Sequence, residues 1–155
     1  MSVSTNGIIR YGVVCEEGAE FPWDNEKYDY DIEIWWLEIN DYKPLYKPFT
    51  EEGEYAEGWA SRDPRFDEYF DHKSEWLKNN PIPVDIENYC SDGCPMYAII
   101  VPEIGLRCSR GYPESFDPLN LTVTEKQKTE LLEFLEKYNI EYETEPSWLL
   151  MSYWG

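Results

Sequence analysis

The sequence is poor in positive charge and in histidine. Only 13 Lys and Arg stand against 32 Asp and Glu in 155 residues, with one His, for a formal net charge of -19. A surface of that sign repels nucleic-acid phosphates and anionic membranes, so no direct binding to nucleic acid or membrane is expected. Long apolar runs are missing too. Nothing approaches the roughly 18 residues of a membrane-spanning helix. The opening MSVSTNGIIRYGVV lacks the basic, apolar and small-residue succession of an export signal. Those absences predict a cytoplasmic protein, and in a reducing compartment the four Cys are expected as free thiols.

Recognisable catalytic motifs are absent as well. There is no Walker-type loop, no glycine-rich dinucleotide fingerprint and no HExxH. His72 falls inside a predicted helix and forms no recognised nucleophile–base arrangement with a Ser or Cys, which predicts a surface His rather than a general base. With 32 carboxylates, pairs of acids are inevitable and identify no glycosidase site. Cys90 and Cys94 have CxxxC spacing, and Cys15 and Cys108 would complete a four-thiolate zinc site if the fold gathered them. Neither of those two belongs to a second short pair. The reading therefore predicts no catalytic residue, no metal and no cofactor.

What the chain does have is aromatic and acidic. Seven Trp and thirteen Tyr bring the aromatic share to 17%, enough apolar surface to exclude intrinsic disorder despite the charge. A chain of this length buries about 70% of its unfolded surface. The acids are uneven: residues 16–75 hold 19 against six bases, and residues 76–155 hold 13 against six.

Apolar residues on both faces of Ile8–Cys15 predict a central strand. Glu16–Tyr30 reads as an acidic loop anchored by Phe21 and Trp23. Asp31–Asn40 fits helical and strand spacing alike; helix is favoured, with Asp29 or Asp31 as cap. Asp41–Ala60, punctuated by Pro44, Pro48, Gly53 and Gly58, predicts a long loop. Asp63-Pro64 is a helix start, because Asp accepts from free N–H groups and Pro fits the first turn; Asn79, Asn80 and Pro81 end that helix. Met96–Val101, bordered by Pro95 and Pro102, is a strand, and Gly105–Pro113 a loop or short strand.

Thr124–Tyr138 carries a capping box at Thr124 and Gln127 and an apolar stripe of Leu131, Leu132, Leu135 and Tyr138. Asn139 terminates it. Ile140–Glu143 returns as a short strand, and the aromatic tail after Pro146 docks. Together these elements predict one α+β domain over residues 1–155, a small mixed sheet packed with two or three helices.

Three groups of residues are candidate sites. Asp63, Asp67, Asp71 and Glu75 recur every fourth residue, which lines them along one helix face about 6 Å apart, a spacing comparable with neighbouring nucleic-acid phosphates. Phe66, Tyr69, Phe70, Trp76 and Leu77 fall opposite and are expected in the core. Like charges at that spacing oppose the helix by about 0.2–0.5 kcal/mol per pair, so the stripe is either an ordinary solvated face, with Arg62 and Lys73 relieving it, or a phosphate-like surface. Glu20, Trp23, Asp24, Asp31 and Glu33 mix acids with large aromatics, which suits core anchoring or a protein interface. Arg107 and Arg110, beside Gly105 and Gly111, either pair with nearby acids or hold an anionic ligand.

The pieces Asn6–Gly12 (NGIIRYG), Glu20–Trp23 (EFPW), Asp31–Trp36 (DIEIWW), Cys94–Tyr97 (CPMY) and the terminal SYWG resemble small acidic proteins of unassigned function carried by tailed bacteriophages. The resemblance implies action in a bacterial host cytoplasm, with antagonism of a host defence or nucleic-acid enzyme as its setting. The expected function is non-enzymatic: the basic face of a host protein is bound and blocked, in the manner of a nucleic-acid mimic. The alternative is a pocket that sequesters a small ligand.

Overall fold

Apolar residues on both faces of a strand require a neighbour or cover on every side, and β1 (Thr5–Val14) has both. The computed structural model describes residues 5–50, 53–91 and 93–154. In it β1 lies between two antiparallel partners, β3 (Cys94–Ser109) and β4 (Ser147–Trp154). Strand β2 (Asp85–Ser91) pairs antiparallel with β3 along its whole length. It meets β4 in parallel at Cys90↔Tyr153 and Ser91↔Trp154, which closes the mixed sheet into a four-stranded barrel, in the order β1-β3-β2-β4.

Three antiparallel junctions and one parallel junction cannot close around four straight strands, so the ring needs bends. One lies in β3. Between Arg10 and Gly12 of β1 the partner shifts from Gly105 to Ile100, leaving extra residues in β3 as a bulge. Glu103 (φ 60) and Gly105 (φ 121) leave the extended region there, and Cys90 (φ 75) does so near the end of β2. A Cβ on Gly105 would stand 1.9 Å from the Ile9 carbonyl oxygen, so only glycine fits that bulge.

The expected strand Met96–Val101 was therefore too short, and its expected border Pro102 is internal. Proline is tolerated there because the bulge interrupts the ladder. The segment beginning at Gly105, expected as a loop or short strand, starts as the second half of β3. Strand β2 was not anticipated at all, since its buried position is occupied by Glu87 rather than an apolar residue.

Ile8, Ala98, Ile100 and Met151 form one cluster of the core, with Tyr89, Leu149 and Tyr153 against it. Alternation turns Val13, Ile99 and Val101 to the other face of the sheet, where they are also buried. Helix α3 (Glu125–Lys137) packs on β3. Its start follows the sequence: Thr124 Oγ1 accepts from Gln127 N, and Gln127 Oε1 accepts from Thr124 N, at 3.2 and 2.9 Å. Leu131, Phe134 and Leu135 are buried, each contributing about 1.5–3 kcal/mol of burial. Leu132, expected on that stripe, is instead 41% exposed; the true face runs 131, 134, 135, 138, and residue 132 is rotated about 100° from 131. Asn139 ends the helix region in the left-handed conformation (φ 52). Ile140–Glu143 contributes one bridge, Cys15↔Tyr142. This sheet and α3 belong to one compact unit, formed by the chain up to Pro22 and from Pro83 onward.

The second unit is Trp23–Ile82. Its interior begins with Trp23 against Trp35, ring centroids 5.2 Å apart. Trp35 projects from α1 (Ile32–Ile39), whose cap is Asp31: its Oδ1 accepts from Glu33 N and Ile34 N at 2.6 and 3.2 Å. Helix α2 (Arg65–Asn79) follows the long loop and ends before Asn80, whose carbonyl oxygen accepts from Trp36 Nε1 at 2.9 Å. Phe66, Tyr69, Trp76 and Leu77 form the half-buried face of α2, but Phe70, expected in the core, is 51% exposed. The loop before α2 wraps this face with rings: Trp59 lies 4.9 Å and Phe49 5.8 Å from Phe66. Among the described residues the fold is thus α+β, with three α-helices and a four-stranded mixed sheet.

Candidate functional site

The acidic residues of α2 divide by what surrounds them. Asp63, just before the helix, accepts from Arg65 N at 2.9 Å, and its two oxygens take Arg65 Nε and Nη2 at 2.9 and 2.6 Å. That fork lowers the Asp63 pKa to about 2, the Arg65 side chain being the largest cause. The Arg65 guanidinium also stacks 4.1 Å above the Trp59 ring. Asp63 is therefore neutralised and does not extend the stripe. Glu68 accepts from the Tyr46 hydroxyl at 2.8 Å.

Lys73 lies on the half-buried side and pairs with Glu33 at 2.5 Å, so it does not relieve the stripe either. Asp67, Asp71 and Glu75 remain. All three are exposed, and among the described residues none makes an ion pair. Their two i,i+4 repulsions oppose the helix by about 0.2–0.5 kcal/mol each, offset in part by Asp67 at the positive helix N-terminus.

The other predicted residues scatter. Glu20 lies in the barrel unit, exposed, on an acidic cavity of about 420 Å³ that it shares with Glu16, Glu17 and Glu141. Asp24 is exposed in the second unit. Trp23 is 1% exposed, which removes it from any surface a partner meets. Asp31 is committed to capping α1 and Glu33 to Lys73.

Arg107 is held by Glu87, and Arg110 lies on the exposed turn after β3. Arg10 Nε donates to the other oxygen of Glu87 at 2.9 Å. The Glu87 side chain is 8% exposed, so a buried carboxylate joins β1, β2 and β3. No signal in the sequence distinguished Glu87 from the other 31 acids.

Cys15 is buried, and burial, partly opposed by a backbone hydrogen bond, pushes its thiol up to about 11, against formation of a thiolate. His72 is half-buried rather than fully at the surface; its Nδ1 lies 3.0 Å from the Tyr42 hydroxyl. Burial and then Tyr69 raise the Tyr42 pKa, so that phenol keeps its proton. All four cysteines are free, and among the described residues no group of three or more His, Cys, Asp or Glu is placed to hold a metal ion. No helix among them is long and apolar enough to cross a membrane. No protein-family model, curated protein or solved structure gives a significant match to the chain.

Proposed function

We propose that the chain is a non-catalytic binder that occupies the basic, nucleic-acid-binding face of another protein with the outer face of α2. The single observation that supports this reading is that Asp67, Asp71 and Glu75 stand exposed in register while the nearby cations Arg65 and Lys73 are bound to Asp63 and Glu33. Such a row without ion pairs carries a local helix cost and attracts a basic surface over a Debye length of about 8–10 Å. Exposed aromatics beside it, Phe70 and Tyr55, supply contact area at shorter range. The resemblance to phage proteins implies a partner in a bacterial host, a defence or nucleic-acid-processing protein.

The test is competition. The chain should release basic proteins of a bacterial extract from DNA-cellulose, and do so less well as salt rises. Asp67→Asn, Asp71→Asn and Glu75→Gln together should abolish release without lowering thermal stability. Neutralising the exposed Glu114, Glu133 and Glu136 should leave most of it. Equal loss in both variants would reduce the effect to net charge, and full release by the α2 variant would eliminate that face.

A further inference from the structure

A cavity of about 390 Å³ in the barrel unit touches four consecutive residues of β4, Leu149, Leu150, Met151 and Ser152, together with Tyr89 and Cys90 of β2, Val14 of β1 and Met96 of β3. Successive strand residues point to opposite faces of a sheet. A single cavity that meets all four, and the other three strands besides, therefore reaches across the edge of β4 into the barrel and does not lie over one face of that strand.

That edge has no strand partner among the described residues. β4 pairs with β1 from Ser147 to Trp154, but with β2 only at Tyr153 and Trp154. β2 pairs with β3 throughout and is likewise open on its other side from Asp85 to Tyr89. The two strands are joined at their C-terminal ends and leave a wedge along the rest. Within the barrel side chains span this gap: Arg10, opposite Leu149 in register, reaches Glu87 of β2. Natural edges are usually blunted by charge or proline. Ser147–Ser152 (SWLLMS) has neither, and Leu150 is 82% exposed.

We propose that this seam takes an extended peptide segment of another protein as an added strand, apolar where it enters the wedge and basic at its flanks. Backbone edges without a strand partner on both walls select a strand. The cavity contacts no charged side chain, which selects apolar residues inside it. A second copy is disfavoured because each chain carries -19. Glu143 N donates to the carbonyl of Val14 at 2.8 Å, and Val14 lines the cavity, so one end of the wedge meets an acid. The site belongs to the barrel unit and requires nothing of α2, so it stands or falls separately from the reading above.

Cys90 makes the test direct, since its half-buried thiol lines the wedge while Cys94, across the hairpin, is exposed. The probe is a pool of short capped peptides with Lys at both ends and Val, Ile, Leu, Thr or Phe between. At saturation it should slow iodoacetamide labelling of Cys90 at least about tenfold relative to Cys94, with a Glu-ended pool binding more weakly. A pool with proline at alternate positions, lacking the N–H groups, should not protect. Leu150→Glu should lose the protection with unchanged thermal stability. Absence of protection by the Lys-ended pool, equal protection by the proline pool, or undiminished protection in Leu150→Glu would each overturn the proposal. So would concentration-dependent protection of Cys90 by self-association, which would make the occupant a second copy.

Discussion

Replacing Glu87 by Gln removes the one charge that holds two guanidinium groups inside the barrel unit. The carboxylate is 8% exposed, Arg10 21% and Arg107 42%. Breaking a fully buried ion pair by removing one partner costs roughly 3–5 kcal/mol, because the other charge is left unpaired. Arg10 keeps some access to water, which places its share at or below the lower limit of that range, about 2–3 kcal/mol. Arg107 is exposed enough that its bond counts as a surface pair, about 0–1 kcal/mol. The expected loss for Glu87→Gln is thus about 3 kcal/mol. At about 2–4 °C per kcal/mol for a chain of this size, the Tm should fall by about 6–12 °C. Urea denaturation should give the same loss with an unchanged slope. Arg10→Gln should cost about 2–3 kcal/mol and Arg107→Gln less than about 1 kcal/mol. A Glu87→Gln loss below about 1 kcal/mol, or equal losses in the two Arg variants, would refute the assignment of the buried carboxylate as the tie between β1 and β2.

In α3, Leu135→Ala should cost about 2–5 kcal/mol in chemical denaturation, whereas the exposed Leu132→Ala should stay within about 1 kcal/mol. Asp63 is held at about 2 against an ordinary 3.8, so its contribution is present above pH 4 and is lost as pH falls toward 2. The stability difference between the wild-type chain and Asp63→Asn should follow that window, and NMR titration of the carboxyl should give the depressed midpoint directly. Cys15, with its thiol near 11, should resist iodoacetamide at pH 8 while exposed Cys94 is alkylated, as read by mass spectrometry of the labelled peptides; comparable rates would contradict the burial of Cys15.

Local signals in the sequence sufficed where a short stretch satisfies its own backbone. Thr124 with Gln127 and Asp63 before Arg65 were legible, and the cap of α1 was narrowed to Asp29 or Asp31, because each capping side chain accepts from an amide only two or three residues away. The double-faced apolar pattern of Ile8–Cys15 was legible as a central strand for a different reason: burial on both faces leaves its mark in composition even though the backbone partners are distant. The row Asp67, Asp71, Glu75 followed from the helical period alone. Tertiary structure decided everything that depends on distant partners. Glu87 is 77 residues from Arg10, so nothing local could mark it as buried or reveal β2 around it. Pro102 looked like a strand end until the bulge supplied a place in β3 that needs no donor. Lys73 was adjacent to the stripe in sequence, yet Glu33 on another helix takes its charge. Leu132 and Phe134 are equally apolar; only the face that β3 presents to α3 buries one and leaves the other in water. Barrel closure at Cys90 and Tyr153, and with it the open seam, exists only once four strands have met, because an edge is a property of the neighbour a strand lacks.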